Sequence, residues 1–340
     1  MTLAQTEITL PGPGPGRVRA WTATLSGGDV TRLVALATVA LVFIGFAVTT
    51  RGFFTSWNIL NVIEQSAIPG ILALAMALVI LTGGSDVQTG GIDLSLAANM
   101  GLSAAIFAVA LRAGWGEPAA LAATLGAGML VGVVNGLAVV RLGILPLLAT
   151  LAMSNIVGGL ELVLTENTVI PATSPILNVL SAGSFLGLSS LTWVLILVST
   201  LAAVILHASP PGLRLYATGG HPEAARAAGV SVGRLILGSY AVAGFTAAFA
   251  AILSVSRLSA SSTGTGEMLL SILAAALLGT VFSRRGVPTV AGTLIAVLFI
   301  GFLSNGFQLK GLSSNWVSGV QGALILAVVA ATALNRRKGG

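Results

Sequence analysis

Two stretches hold the residues whose types and spacing suit chemistry or recognition. The first is Gly220-His221-Pro222-Glu223-Ala224-Ala225-Arg226-Ala227-Ala228-Gly229. Pro222 suits the first helical position, where its missing N–H costs nothing. Glu223 falls in the first turn, where the positive helix end favours a carboxylate. The alanines favour helix, and Gly229 is a left-handed stop. The spacing predicts a helix of about two turns, roughly 10 Å long, too short to cross a membrane. A short polar helix between apolar segments is placed to be gripped by another protein. The plainer alternative is a surface loop.

The second stretch is Leu81-Thr82-Gly83-Gly84-Ser85-Asp86-Val87-Gln88-Thr89-Gly90-Gly91-Ile92-Asp93-Leu94-Ser95. Thr82 to Asp86 and Thr89 to Asp93 form an imperfect tandem repeat. Paired glycines stop a helix, and an Asp or Ser after them caps the next one. Two readings stand. One is a loop in which Asp93 is the N-cap of the following helix. The other is a broken helix that dips into the membrane, its freed backbone groups lining a polar cavity. A carboxylate at mid-bilayer costs about 2.5–3.5 kcal/mol on insertion scales, so it needs a partner or water.

Other polar residues lie in or beside apolar runs: Glu64, Gln65, Asn99, Asn135, Asn155, Glu161, Asn305 and Gln321. Singly, such side chains are interhelical glue. As a group they are candidate linings for a neutral polyhydroxy solute, which needs donors and acceptors rather than net charge. The candidate translocation path is Gly90, Gly91, Asp93, Ser95, Asn99, Asn135, Asn155 and Asn305. No catalytic or metal site is expected. Cysteine is absent, and two histidines, His207 and His221, are too few for a metal centre. No Ser/His, paired-Asp or His-Glu-x-x-His arrangement appears. No Gly-x-x-x-x-Gly-Lys-Ser/Thr loop is present to cradle ATP phosphates.

The elements that must position these residues are membrane helices. The 340 residues are 55% hydrophobic and 8% charged, against about 25% charged in a soluble domain. The expected fold is all-α and polytopic, with 43 glycines allowing close helix packing in lipid. Ten apolar segments of about 20 residues lie near 30–50, 63–82, 94–112, 118–140, 145–164, 191–207, 236–256, 268–283, 288–307 and 316–335. Residues 1–29, with Pro11-Gly-Pro-Gly-Pro-Gly16, read as a flexible cytoplasmic tail and not a signal peptide. The membrane-spanning body covers 30–335, with a cytoplasmic loop at 208–235 inside it and a short cytoplasmic tail at 336–340.

Orientation follows from the basic residues. With the N-terminus inside and ten crossings, 12 of the 16 Lys and Arg fall inside, and Arg51, Arg112, Arg257 and Lys310 fall outside. The formal net charge of +6 is spread along span ends rather than gathered on a soluble face, so nucleic acid is not an expected partner. The longest external segment, 165–190, suits either a cap over a pore or a disordered connector.

The spacing Glu223-Ala-Ala-x-x-x-Gly229 resembles the cytoplasmic coupling loop of ABC importer permeases. The whole chain resembles the ribose-type ABC sugar permeases, inner-membrane subunits for ribose, xylose, arabinose, rhamnose and related solutes. Four stretches carry the likeness: Thr89-Gly-Gly-Ile-Asp-Leu-Ser95; Asn135-Gly-Leu with Ile144-Leu-Pro-Leu-Leu-Ala-Thr-Leu151; Leu215 through Arg226 to Gly229; and Leu303-Ser-Asn-Gly306. The resemblance implies ATPase coupling through Pro222, Glu223, Ala224, Ala225, Arg226 and Gly229. It implies a permease dimer, a cytoplasmic ATPase carrying ATP and Mg, and a periplasmic sugar-binding protein. The chain itself is expected to bind no cofactor. Two departures bear on substrate subtype: the added copy from Gly83 to Thr89, and Leu278-Gly-Thr-Val-Phe-Ser-Arg-Arg-Gly286 where the family is Gly-Gly-rich. The alternatives are an ABC permease for nucleosides or branched-chain amino acids, a secondary transporter, and an intramembrane enzyme. A secondary transporter should carry embedded carboxylates for ion coupling, whereas the 10 acidic residues here sit mostly at span ends.

Overall fold

The computed structural model describes residues 27–84, 91–261, 263–283, 286–313, 315–323 and 326. The described chain is a helical bundle: α1 (Gly27–Thr49), α2 (Ser56–Gln65), α3 (Ala67–Gly83), α4 (Leu96–Arg112), α5 (Glu117–Val140), α6 (Pro146–Thr165), β1 (Ile170–Pro171), α7 (Pro175–Ala182), β2 (Ser184–Phe185), β3 (Leu188–Ser189), α8 (Ser190–Ala208), α9 (Pro210–Gly220), α10 (Pro222–Ala227), α11 (Val232–Leu258), β4 (Ala260–Ser261), α12 (Met268–Val281) and α13 (Val290–Leu309). It is an all-α, multi-pass membrane protein. Helices α5, α6, α8, α11 and α13 are long and apolar enough to cross a bilayer, and α2 with α3 makes a bent sixth. Shorter apolar helices lie at Ala35–Thr49, Leu96–Arg112 and Met268–Val281. Residues 315–323 begin the tenth expected segment; the rest of it, and nearly all of both tails, lie outside the described residues.

The second segment differs from its expected bounds of 63–82. It starts at Ser56 and bends by 45° between α2 and α3. Apolarity alone misses the first turns because Asn58, Asn61, Glu64 and Gln65 interrupt it. The bend has a local cause. Pro69 has no N–H to give the carbonyl of Gln65, and its ring crowds that position. At the bend itself, Ser66 Oγ donates to the Val62 carbonyl at 2.7 Å.

Helix α3 is the hub. Ile71, Leu72, Met76 and Val79 are fully buried on several of its faces, against α11, α12, α8 and α13. Helices α5 and α11 approach more closely than side chains permit. A Cβ on Gly132 would lie 2.1 Å from the Tyr240 carbonyl oxygen, and one on Gly244 would lie 2.3 Å from that of Gly128. Gly128, Gly132 and Gly136 recur every four residues, so they form one stripe, and in lipid such stripes let packing replace the missing hydrophobic drive.

The 165–190 segment is ordered, so the disordered-connector reading does not hold. β1 pairs antiparallel with β4, matching Ile170 to Ser261. β2 and β3 form a hairpin whose turn residues Leu186 and Gly187 have φ of 50° and 77°, the sign a tight hairpin requires. Ile170 and Leu177 are buried, and Glu117 accepts a hydrogen bond from the Ile176 N–H at 3.1 Å.

Candidate functional site

At the opposite end from that cap, the chain leaves α8 at Ser209, whose Oγ accepts from the Gly212 N–H. It runs through α9 and then α10. Helix α9 was read in sequence only as part of a loop; the Ser209 cap followed by Pro210-Pro211 was the signal that marks its start. Helix α10 matches the expected capped helix. Pro222 stands at its start, Glu223 in its first turn and Arg226 in its last. Gly229, with φ of 80°, ends it. Ala225 alone is buried, at 5% exposed, while Pro222, Glu223, Ala224, Arg226 and Gly229 face outward. The helix is therefore pinned by one methyl group and presents its polar side away from the bundle.

The segment is joined tightly to the core. A Cβ on Gly219 would fall 1.7 Å from the Leu81 carbonyl oxygen, so only glycine lets α9 touch the end of α3 there. At the next residue of α3, Thr82 Oγ1 donates to Ser239 Oγ of α11 at 2.8 Å. Gly91 is held against α3 in the same way, with its Cβ position 2.2 Å from the Val79 carbonyl oxygen. Helix α9, which leads into the exposed α10, and the glycine-rich break thus meet at one end of α3. Neither Gly219 nor the Thr82–Ser239 pair stands out in sequence, because each contact joins residues far apart in the chain.

Of the candidate path residues, three come together. Asp93, Ser95 and Asn135 are each 1% exposed. Asp93 Oδ1 accepts from the Ser95 N–H at 2.9 Å, from Ser95 Oγ at 2.6 Å and from Asn135 Nδ2 at 3.4 Å. Asn135 Nδ2 also donates to Ser95 Oγ at 2.8 Å. The expected N-cap role passes to Ser95, since α4 starts at Leu96. Asp93 instead ties down the turn two residues earlier, because Gly91 draws the chain in against α3. Thr150, unremarked within its motif, closes the cluster: the Leu94 N–H donates to its Oγ1 at 3.1 Å. Gly90 lies outside the described residues.

The others stand apart. Asn99 is buried between α5 and α11, donating to the Gly128 carbonyl at 3.1 Å. Asn155 is exposed on the outer face of α6, bonded only to the Leu151 carbonyl of its own helix. Asn305 pairs reciprocally with Asn58, Nδ2 to Oδ1, at 2.8 and 3.0 Å. Among the described residues no group of three His, Cys, Asp or Glu side chains is placed to hold a metal ion.

The arrangement is that of a multi-pass helical membrane protein in which a small exposed helix, α10, is joined through α9 to the end of α3, where a polar break begins. It belongs to the family described as branched-chain amino acid transport system / permease component, whose model matches residues 58–329. It is similar to the ribose import permease protein of Bacillus subtilis, 35% identical over 295 residues that cover 86% of this chain and 88% of that one. The ribose import permease protein of Escherichia coli K12 is 33% identical over 283 residues, covering 82% and 86%. The fructose import permease protein of Rhizobium meliloti is 31% identical over 308 residues, covering 87% and 84%. No solved structure matches the chain.

Proposed function

We propose that this chain is the membrane permease subunit of an ATP-driven importer for a monosaccharide or related neutral polyol in a bacterial inner membrane. The observation that carries the reading is α10: a two-turn helix pinned only through Ala225, with Glu223 and Arg226 free, on a chain similar to ribose and fructose import permeases. Glu223, Arg226 and their neighbours Pro222, Ala224 and Gly229 form the dock for a cytoplasmic ATPase, which holds ATP and Mg. A periplasmic binding protein delivers the solute to a pair of permease subunits, and both termini are cytoplasmic. ATP-driven closure of the ATPase pair pulls on α10. Gly219 passes that motion to α3, and the bundle exchanges an outward for an inward opening. Uncharged side chains dominate the helix interior, in keeping with a neutral cargo.

The test is reconstitution of the permease with the ATPase and binding protein encoded beside it. ATP-dependent uptake of radiolabelled ribose or fructose is expected. The family's wider description favours a second cargo, a branched-chain amino acid. Uptake of leucine in place of either sugar would overturn the sugar reading and support that one.

A further inference from the structure

We propose that the cavity at the bend between α2 and α3 is the solute-recognition site of this chain, shaped for one neutral polyhydroxy molecule of monosaccharide size. The proposal rests on the permease reading and gives it a location. Bounded by α2, α3, α12 and α13, the cavity has a volume of about 150 Å³. That is below the ~300–1,000 Å³ of drug-sized ligand pockets, in keeping with a small solute.

Depth is the first argument. Ten residues separate the start of α2 from Ser66, which at about 1.5 Å per residue is roughly 15 Å. That is half of a hydrocarbon core about 30 Å thick. A helix broken near mid-bilayer exposes backbone groups where transporters place their solutes, and here Pro69 leaves the Gln65 carbonyl without its helical donor.

The chemistry of the wall is the second. Its polar side chains are Gln65, Ser66, Ser271, Ser304 and Asn305, and no charged residue joins them. Their hydrogen bonds are only partly used. Gln65 donates to Asn61 at 3.1 Å, which leaves its Oε1 open. Ser66 and Ser271 donate to Val62 and Gln321 and keep lone pairs to accept with. Ser304 Oγ has no hydrogen bond to the described residues. Such an acceptor-rich set suits a ligand that brings many O–H donors. Val297 and Ile300 complete the wall and suit the C–H faces of a sugar ring. Gly301 keeps the space open, since a Cβ there would fall 2.4 Å from Ser66 Oγ. The Asp93 cluster offers no comparable surface: Asp93, Ser95 and Asn135 are each sealed inside the bundle.

The experiment uses the reconstituted complex and radiolabelled D-ribose and D-fructose, with Ser304→Ala, Gln65→Leu and the space-filling Ala275→Leu. Each lost hydrogen bond of about 0.5–1.5 kcal/mol predicts a two- to tenfold fall in maximal uptake. The half-saturating concentration should hold, because the binding protein sets it. ATPase co-purification should hold as well, which a folding defect would not allow. Ser304→Cys, in a chain without native cysteine, gives an independent readout. Its alkylation should slow when binding protein loaded with the transported sugar is present. Wild-type uptake with all three variants within twofold of it, and alkylation indifferent to sugar, overturns the site alone. A wild-type complex that moves neither sugar overturns the monosaccharide reading and the site with it.

Discussion

Asp93→Ala compared with Asp93→Asn asks whether the break is held by hydrogen bonding or by charge. In the native chain, Asp93 Oδ1 takes two short bonds from Ser95, at 2.9 and 2.6 Å. Bonds to an ionised group contribute about 1.5–3 kcal/mol each, so the pair contributes roughly 3–6 kcal/mol. Placing the carboxylate in the membrane costs about 2.5–3.5 kcal/mol. Alanine loses the bonds and recovers the burial cost, a net change from about a 0.5 kcal/mol gain to about a 3.5 kcal/mol loss, centred on a loss of about 1.5 kcal/mol. Asparagine keeps a neutral oxygen at the same place, retaining about 0.5–1.5 kcal/mol per bond while shedding the charge, and should fall within about 1 kcal/mol of the native chain. The order of stability is therefore native and Asn about equal, with Ala below both. Thermal unfolding of the detergent-purified permease, followed through its five tryptophans, measures it. A loss in Asn equal to that in Ala would show that the charge itself is needed. Native stability in Ala would show that the turn holds without Asp93.

Three further outcomes follow from the geometry. Gly132→Leu drives a side chain into the Tyr240 carbonyl, 2.1 Å from the new Cβ; folded, monodisperse protein should fall severalfold, whereas Gly126→Leu, with open space around it, should be near normal. Gly229→Val has room for its side chain but not for its φ of 80°, so about 1 kcal/mol of strain should loosen α10; together with Glu223→Ala it should abolish co-purification of the ATPase, and full retention would remove α10 as the dock. Single cysteines at Arg141, Ser231 and Gly286 should be protected from an impermeant thiol reagent in intact cells, and those at Ser174 and Ser261 labelled once exposed by brief denaturation; reversal at any two positions would invert the orientation.

Local chemistry made much of this protein readable from its residues. Helix α10 was legible because helix-end preferences act within one turn: Pro222 has no N–H left unpaired, Glu223 sits by the positive helix end, and Gly229 takes the positive φ that stops it. The spans were legible because lipid leaves unpaired backbone groups no alternative to helix. The bend at Ser66 was also local, its cause being Pro69, but apolarity counting passes over a proline inside a hydrophobic run. What tertiary structure decided are the pairings. Asn58 meets Asn305 across 247 positions, β1 meets β4 across the five intervening helices α7 to α11, and Gly219 accepts the end of α3. A glycine or asparagine carries the same local signature whether it faces lipid, a helix or a cavity. Asn135 and Asn155 show this: alike in sequence setting, one is sealed against Asp93 and the other exposed on α6. Which neighbour a side chain meets depends on how the helices pack, and in lipid that packing is settled by close contact between small residues on different helices rather than by any gradient of apolarity along one.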